Sequence, residues 1–159
     1  MVLDLLEYDP ADGTFRWLRS GRGRRAGEIA GTLIDSGKGG RKYWRLRINN
    51  RFYKAHRIAF LIMEGWLPEM VDHENGDSTC NVWSNLRAAT SLQNARNRRV
   101  HSNNALGVKG VIRTNGRFRV RIHAGRNINV GWFDDLDEAK AAYEAAAKMH
   151  HGEWARAAA

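Results

Sequence analysis

Val71-Asp72-His73-Glu74-Asn75-Gly76-Asp77, then Asn81, then Asn85-Leu86-Arg87 and Gln93-Asn94, is the stretch on which the reading of this chain turns. Val71-Asp72-His73 and Leu86-Arg87-Ala88-Ala89 read as two short strands, joined by a segment rich in Asn, Asp, Gly and Ser. Thr90-Ser91-Leu92-Gln93 has capping-box spacing, so a helix starts there and carries Asn94 in its first turns. Adjacent residues of a strand point to opposite faces, which lets Asp72 and His73 serve different partners. A loop, a second strand and a helix in that order can return Asn94 over the first strand. One carboxylate and one amide oxygen make a sparse, hard-oxygen site that suits Mg²⁺, an ion that keeps most of its water. An imidazole beside it, with an ordinary pKa of about 6.5, accepts a proton from water at neutral pH. Metal and imidazole next to a phosphodiester are the least equipment that its hydrolysis needs.

The flanks supply what such a site would act on. The 159 residues are 43% apolar and 27% charged with two prolines, a globular composition sized for one ordinary domain or two small ones. Lys and Arg number 26 against 17 Asp and Glu, giving a net charge of +9 and a pI of about 10.3. Residues 1–54 carry +6, residues 55–100 are neutral, residues 101–133 carry +6 without one acid, and residues 134–159 carry −3. A neutral centre holding histidines and amides between two basic flanks fits a reaction site between two grips on a polyanion, nucleic acid before an anionic membrane surface. Cys80 is the one cysteine, which excludes an internal disulfide and a Cys-rich zinc site and fits a reducing compartment. The longest apolar run, Ile58 to Met63, is far short of a membrane span, and the first residues lack the basic start of a signal peptide. A soluble, intracellular protein without membrane association is expected.

Two other motifs fail on context. Gly21-Arg22-Gly23-Arg24-Arg25-Ala26 fits G-x-G-x-x-A, but the residues after it are strand-like where a dinucleotide fold needs a helix. Asp72 to Asp77 has the look of a calcium loop, but its glycine is fifth rather than sixth and no Glu stands twelfth.

The remaining elements alternate strands and turns. Asp9-Pro10-Ala11-Asp12-Gly13 is a turn before a strand at Thr14–Leu18, and Glu28–Leu33 is a weaker strand. Tyr43–Ile48 and Phe52–Lys54 form a hairpin across Asn49-Asn50, residues that tolerate positive φ. Ala55–Glu64 is a helix stopped by Gly65 and Pro68. Near the C-terminus, Val108–Arg113, Arg117–His123 and Ile128–Phe133 are three strands, and a helix opens at Asp135 with a stripe of Leu136, Ala139, Tyr143 and Ala146 toward the sheet. In Arg117–His123 the alternation is complete: Phe118, Val120 and Ile122 face the helix, while Arg117, Arg119, Arg121 and His123 form a cationic face. A three-stranded sheet of this kind can enter the major groove of DNA, where Arg pairs with guanine edges.

Over roughly residues 40–98 the chain resembles the HNH endonucleases with the ββα-metal fold, of the phage and intron-encoded, homing type. The resemblance is carried by Ala55-His56-Arg57, Asp72-His73, Asn85-Leu86-Arg87 and Asn94. It implies that His73 is the general base, that Asp72 and Asn94 hold one Mg²⁺ or Mn²⁺, and that Asn85 braces the loop and orients His73. It implies 5′-phosphate and 3′-hydroxyl products. Asn94 stands where many members have a second metal-binding histidine, as in the phage branch, and the cysteine pairs of zinc-bracketed members are missing, so no structural zinc is expected. His56, Arg57, Arg87 and Arg96, with Arg98 and Arg99, are expected on DNA phosphates. A packing or helix-capping role suits His56 equally well.

Residues 107–159 resemble the AP2 DNA-binding domain through Gly107-Val108-Lys109-Gly110-Val111, Gly116-Arg117-Phe118, Gly131-Trp132-Phe133 and the helix with Ala142-Tyr143. That similarity implies DNA contacts from Lys109, Arg113, Arg119, Arg121 and His123, with Asn127 and Asn129 on the third strand where the family often has Arg and Trp.

The expectation is an α+β chain: a basic β-hairpin region at 1–54, a nuclease core at 55–98, a linker at 99–106 and an AP2-like module of three antiparallel strands and one helix at 107–159. Its expected activity is metal-dependent hydrolysis of double-stranded DNA by a cytoplasmic monomer or weak dimer, in a prokaryotic or phage-infected cell. The rival is a non-catalytic, sequence-specific DNA-binding regulator on a degenerate nuclease fold. An RNA-binding accessory protein is a third reading, disfavoured because no aromatic single-strand platform is visible.

Overall fold

A computed structural model describes residues 4–37, 41–98, 100 and 103–155. It is a mixed α and β chain of several small sheets and few helices, in two compact units, residues 1–91 and 92–159.

In the first unit, β1 (Leu6–Tyr8) pairs antiparallel with β2 (Phe15–Trp17) around the Asp9–Gly13 turn, where the Asp9 and Asp12 carboxylates accept from the backbone two residues on. Leu6, Tyr8 and Phe15 point inward and Glu7 and Arg16 outward, the period of a half-buried ribbon. The next strand, β3 (Thr32–Asp35), starts later than the Glu28–Leu33 expected from sequence. Ile29 makes only an isolated bridge to Arg16 and is exposed, because Gly31 at φ +114° turns the chain between the two segments. β3 pairs with β4 (Lys42–Ile48), and β4 with β5 (Arg51–Lys54) across Asn49 and Asn50, at φ +48° and +62°. Leu46 and Ile48 are the inward residues of β4.

β5 runs directly into α1 (Ala55–Glu64), which buries Ala55, His56, Ile58, Ala59 and Phe60 and ends at left-handed Gly65, whose N–H returns to the Leu61 carbonyl at 3.0 Å. β6 (Met70–His73) and β7 (Leu86–Ala89) pair antiparallel, His73 opposite Leu86 and Asp72 opposite Arg87. Their loop closes through a 3₁₀ turn at Trp83–Asn85. One core gathers Leu6, Tyr8, Phe15, Ala30, Leu46, Ile48, Ile58, Phe60, Val71 and Leu86, and each fully buried side chain of this kind contributes about 1.5–3 kcal/mol.

α2 (Ser91–Arg96) begins at the unit boundary, and Glu69 accepts from both the Ser91 hydroxyl (2.6 Å) and its N–H (3.2 Å). In the second unit β8 (Val111–Thr114), β9 (Arg117–His123) and β10 (Asn127–Phe133) form an antiparallel sheet in the order β10-β9-β8. β8 begins three residues after the expected Val108, because Gly110 takes φ +65°. α3 (Leu136–His151) covers one face: Asp135 caps it by accepting from the N–H groups of Asp137 (2.8 Å) and Glu138 (3.0 Å). Ala139, Tyr143 and Ala147 pack with Val108, Val111, Val120 and Ile122, flanked by Leu136 and Ala146. Among the described residues no helix is long and apolar enough to cross a membrane.

Candidate active site

Strand alternation sends Asp72 and His73 to opposite faces of β6, yet both are buried, at 5% and 7% exposure. Burying a carboxylate without a partner is costly, and here Arg87 across the ladder donates from Nε to Asp72 Oδ2 at 3.1 Å. Arg87 was expected on phosphate; the fold engages its guanidinium with Asp72 through the cross-strand register.

On the other face, His73 Nε2 lies 3.2 Å from the Asn81 side-chain oxygen, and Asn81 is 3% exposed. An amide oxygen only accepts, so this contact is a hydrogen bond when Nε2 carries the hydrogen, the tautomer in which Nδ1 is the basic nitrogen. Burial holds the His73 pKa below its ordinary 6.5, aided by the Lys54 charge and opposed by the Asn81 hydrogen bond and the carboxylates of Asp72 and Asp77. The ring is therefore neutral, the form a base needs, at neutral pH.

Asn85 serves the loop backbone: its side-chain oxygen accepts from the Asn75 N–H (2.9 Å), its amide donates to the Cys80 carbonyl (2.8 Å), and its own carbonyl accepts from the Glu74 N–H (2.9 Å). Asn75 and Asp77 add local turns, to the Asp77 N–H and to Thr79. The side chain on the imidazole is thus Asn81, which sequence reasoning quoted without giving it a role. A lone Asn in a loop of Asn, Asp and Ser has no periodicity to mark it.

His56, expected among DNA contacts, is instead buried at 9% exposure and packs edge-on against His73, ring centroids 4.9 Å apart. Burial drives its pKa down to about 3, with smaller contributions from His73, Lys54 and Arg57, so it is a neutral imidazole in a nonpolar setting. Arg57 donates to the carbonyls of Pro68 and Glu69, both at 3.3 Å.

In the second unit, Asn94 lies part-exposed on α2, and the Arg96 carbonyl at its end accepts from Lys109 Nζ at 3.0 Å, a cation at a helix C-terminus. Lys109, expected on DNA, is thereby tied to its own unit. Arg98 is exposed and Arg99 lies outside the described residues. The face of the sheet away from α3 carries the expected cations with partners of their own. Arg119 donates to Asn129 (3.1 Å) and lies over Trp132 (5.4 Å), and His123 Nδ1 is 3.2 Å from Asn127 Oδ1, whereas Arg113, opposite Phe118 in the ladder and 5.8 Å from its ring, lies on the face that α3 covers. Arg117 forms a two-pronged pair with Asp134. Arg121 lines, with Gly110, His123, Asn127 and Tyr143, a shallow cavity of about 400 Å³.

The donor chemistry bears on which metal the residues suit. Among the described residues no group of three or more His, Cys, Asp or Glu side chains converges, and the Asp72 carboxylate is a hard oxygen donor of the kind a largely hydrated divalent ion accepts. No curated protein matches the chain. HNH nucleases generally use a divalent metal and act on DNA. Residues 53–96 match a family model described as HNH endonuclease, so over this segment the chain is similar to that family.

Proposed function

We propose that the chain is a metal-dependent DNA endonuclease of the phage or homing type in which His73 takes the proton of the attacking water. The observation that carries this reading is the buried, neutral His73 with Nε2 engaged by Asn81, next in sequence to a buried Asp72 inside an HNH endonuclease segment. His73 Nδ1 abstracts the proton, Asn81 fixes the ring, and Asn85 keeps the loop beneath it in shape. Asp72 and Asn94 would hold one Mg²⁺ or Mn²⁺, which supplies positive charge to the scissile phosphate and the leaving 3′ oxygen. Arg87 orients the Asp72 carboxylate. Products would carry 5′-phosphate and 3′-hydroxyl ends. On this reading residues 1–54 add backbone affinity, 55–98 form the ββα-metal core, 99–106 link, and 107–159 act as an AP2-like module. That module would present Arg113, Arg119, Arg121, His123, Asn127 and Asn129 to double-stranded DNA, with Arg57, Arg96 and Arg98 as phosphate contacts elsewhere.

The test is incubation of supercoiled plasmid and phage genomic DNA with wild type and His73→Ala, each with Mg²⁺, with Mn²⁺ and with EDTA. Metal-dependent nicks by wild type alone, with duplex affinity kept by His73→Ala, are expected. Tight duplex binding with no cutting in any metal would replace the nuclease by the non-catalytic regulator.

A further inference from the structure

The Asn81 residue that touches His73 is itself held from outside the matched segment. Tyr8 on β1 donates its hydroxyl to the Asn81 carbonyl at 2.6 Å, a buried bond across 73 residues of chain. The turn after β1 comes closer still. Gly13 has φ +77°, and a Cβ there would sit 2.4 Å from the Asn81 carbonyl carbon and 2.5 Å from the Val82 nitrogen, so only glycine fits. Pro10 accepts from the Trp83 N–H at 2.9 Å. The Asn81 carbonyl and the Trp83 N–H are thus both bonded to the first hairpin, with Gly13 close against the peptide that joins Asn81 to Val82. Tyr8 is in turn seated on Phe15, ring centroids 4.8 Å apart.

We propose that Tyr8 is a positioning residue for His73: its hydroxyl fixes the Asn81 backbone, and with it the amide oxygen that selects the proton-bearing nitrogen of the imidazole. Without the clamp, Asn81 can rotate its side chain away from Nε2, and the hydrogen on Nε2 loses the acceptor that favours it there. Only the form with hydrogen on Nε2 leaves Nδ1 as the base. Burial pushes the Tyr8 pKa up to about 12, so the hydroxyl stays a donor throughout the physiological range. The consequence for cleavage rests on the nuclease reading above; the consequence for the imidazole does not.

The experiment therefore has two arms, run on the whole chain with wild type, Tyr8→Phe and Asn81→Ala. Tyr8→Phe keeps the ring on Phe15 and removes only the hydroxyl; Asn81→Ala keeps the backbone carbonyl and removes the amide. The first arm reads the ¹⁵N shifts of the His73 ring at one pH without metal. The second reads single-turnover cleavage of plasmid over a range of enzyme concentration, separating rate from affinity. Expected are a wild-type ring with hydrogen on Nε2 and a smaller share of that tautomer in both variants. The maximal cutting rate should fall about fivefold to tenfold in Tyr8→Phe with half-saturation unchanged, the worth of one hydrogen bond. Asn81→Ala should lose at least as much. A Tyr8→Phe ring identical to wild type, or a wild-type ring with hydrogen on Nδ1, overturns the proposal, and so does an unchanged cutting rate in an active nuclease. If wild type cuts nothing while the tautomer still responds to Tyr8→Phe, the nuclease reading falls and the positioning of the imidazole stands.

Discussion

Acidification should weaken the first unit through His56, by an amount that can be worked out. In the folded chain this imidazole stays neutral until about pH 3, whereas the exposed side chain titrates at 6.5. Between those values the unfolded chain binds the proton and the folded chain refuses it. Stability therefore rises with pH in this window: it is complete above 6.5 and drains away as pH falls toward 3. Each unit inside the window is worth about 1.4 kcal/mol, so moving from about pH 7.5 to about pH 5 removes ~2 kcal/mol through this one group. His56→Phe fills the same space with a ring that cannot titrate. Hydrogen exchange of the α1 amides, measured at both pH values, reports the opening free energy of the unit that holds His56. Wild type should lose ~2 kcal/mol more than His56→Phe over that interval, carboxylates and His73 being common to both. Equal losses in the two proteins would show that His56 takes up its proton as easily folded as unfolded, and the assignment of a buried neutral imidazole would fail.

Two further outcomes rest on close contacts. Arg87→Ala should cost the first unit ~2 kcal/mol by leaving the Asp72 carboxylate without its cross-strand cation, and adding Asp72→Asn should restore part of it. Urea midpoints of the two single variants and the double variant measure the coupling, and strictly additive losses would refute it. Gly110→Ala places a Cβ 2.2 Å from the Arg121 carbonyl and 2.5 Å from the Tyr143 ring at φ +65°, so the second unit should lose ~3 kcal/mol or more while exchange in α1 is unchanged.

Local pattern made much of this legible. The Asn49-Asn50 hairpin, α1 from Ala55 to Glu64, the strands at 71–73 and 86–89, and β9 with its two faces are written in period and turn chemistry, and all stand in the structure. β1 is not: Leu6-Glu7-Tyr8 is too short to show alternation and exists because Phe15 and Trp17 pair with it. β3 and β8 start late because glycines at positive φ interrupt the apolar runs that suggest longer strands. In the site, Asp72, His73 and Asn85 could be singled out by type and spacing. The Arg87 pairing with Asp72 needed the register of β6 against β7, and the contacts of His73 with Asn81 and His56 needed the tertiary fold.

The clamp between the first hairpin and the loop at 81–83 also sets a timetable. Leu6, Tyr8, Phe15, Ala30, Leu46 and Ile48, half of the buried cluster in the first unit, precede Tyr53, while Ala55, Ile58, Ala59, Phe60, Val71 and Leu86 come after it. At ~5–20 residues per second, a ribosome adds Tyr8 roughly 4–15 s before it adds Asn81. Through that interval the Tyr8 hydroxyl lacks the Asn81 carbonyl to which it donates in the finished fold. A unit held this way cannot fix the loop at 81–83 early: the bond from Tyr8 to Asn81 waits until most of the first unit has been translated.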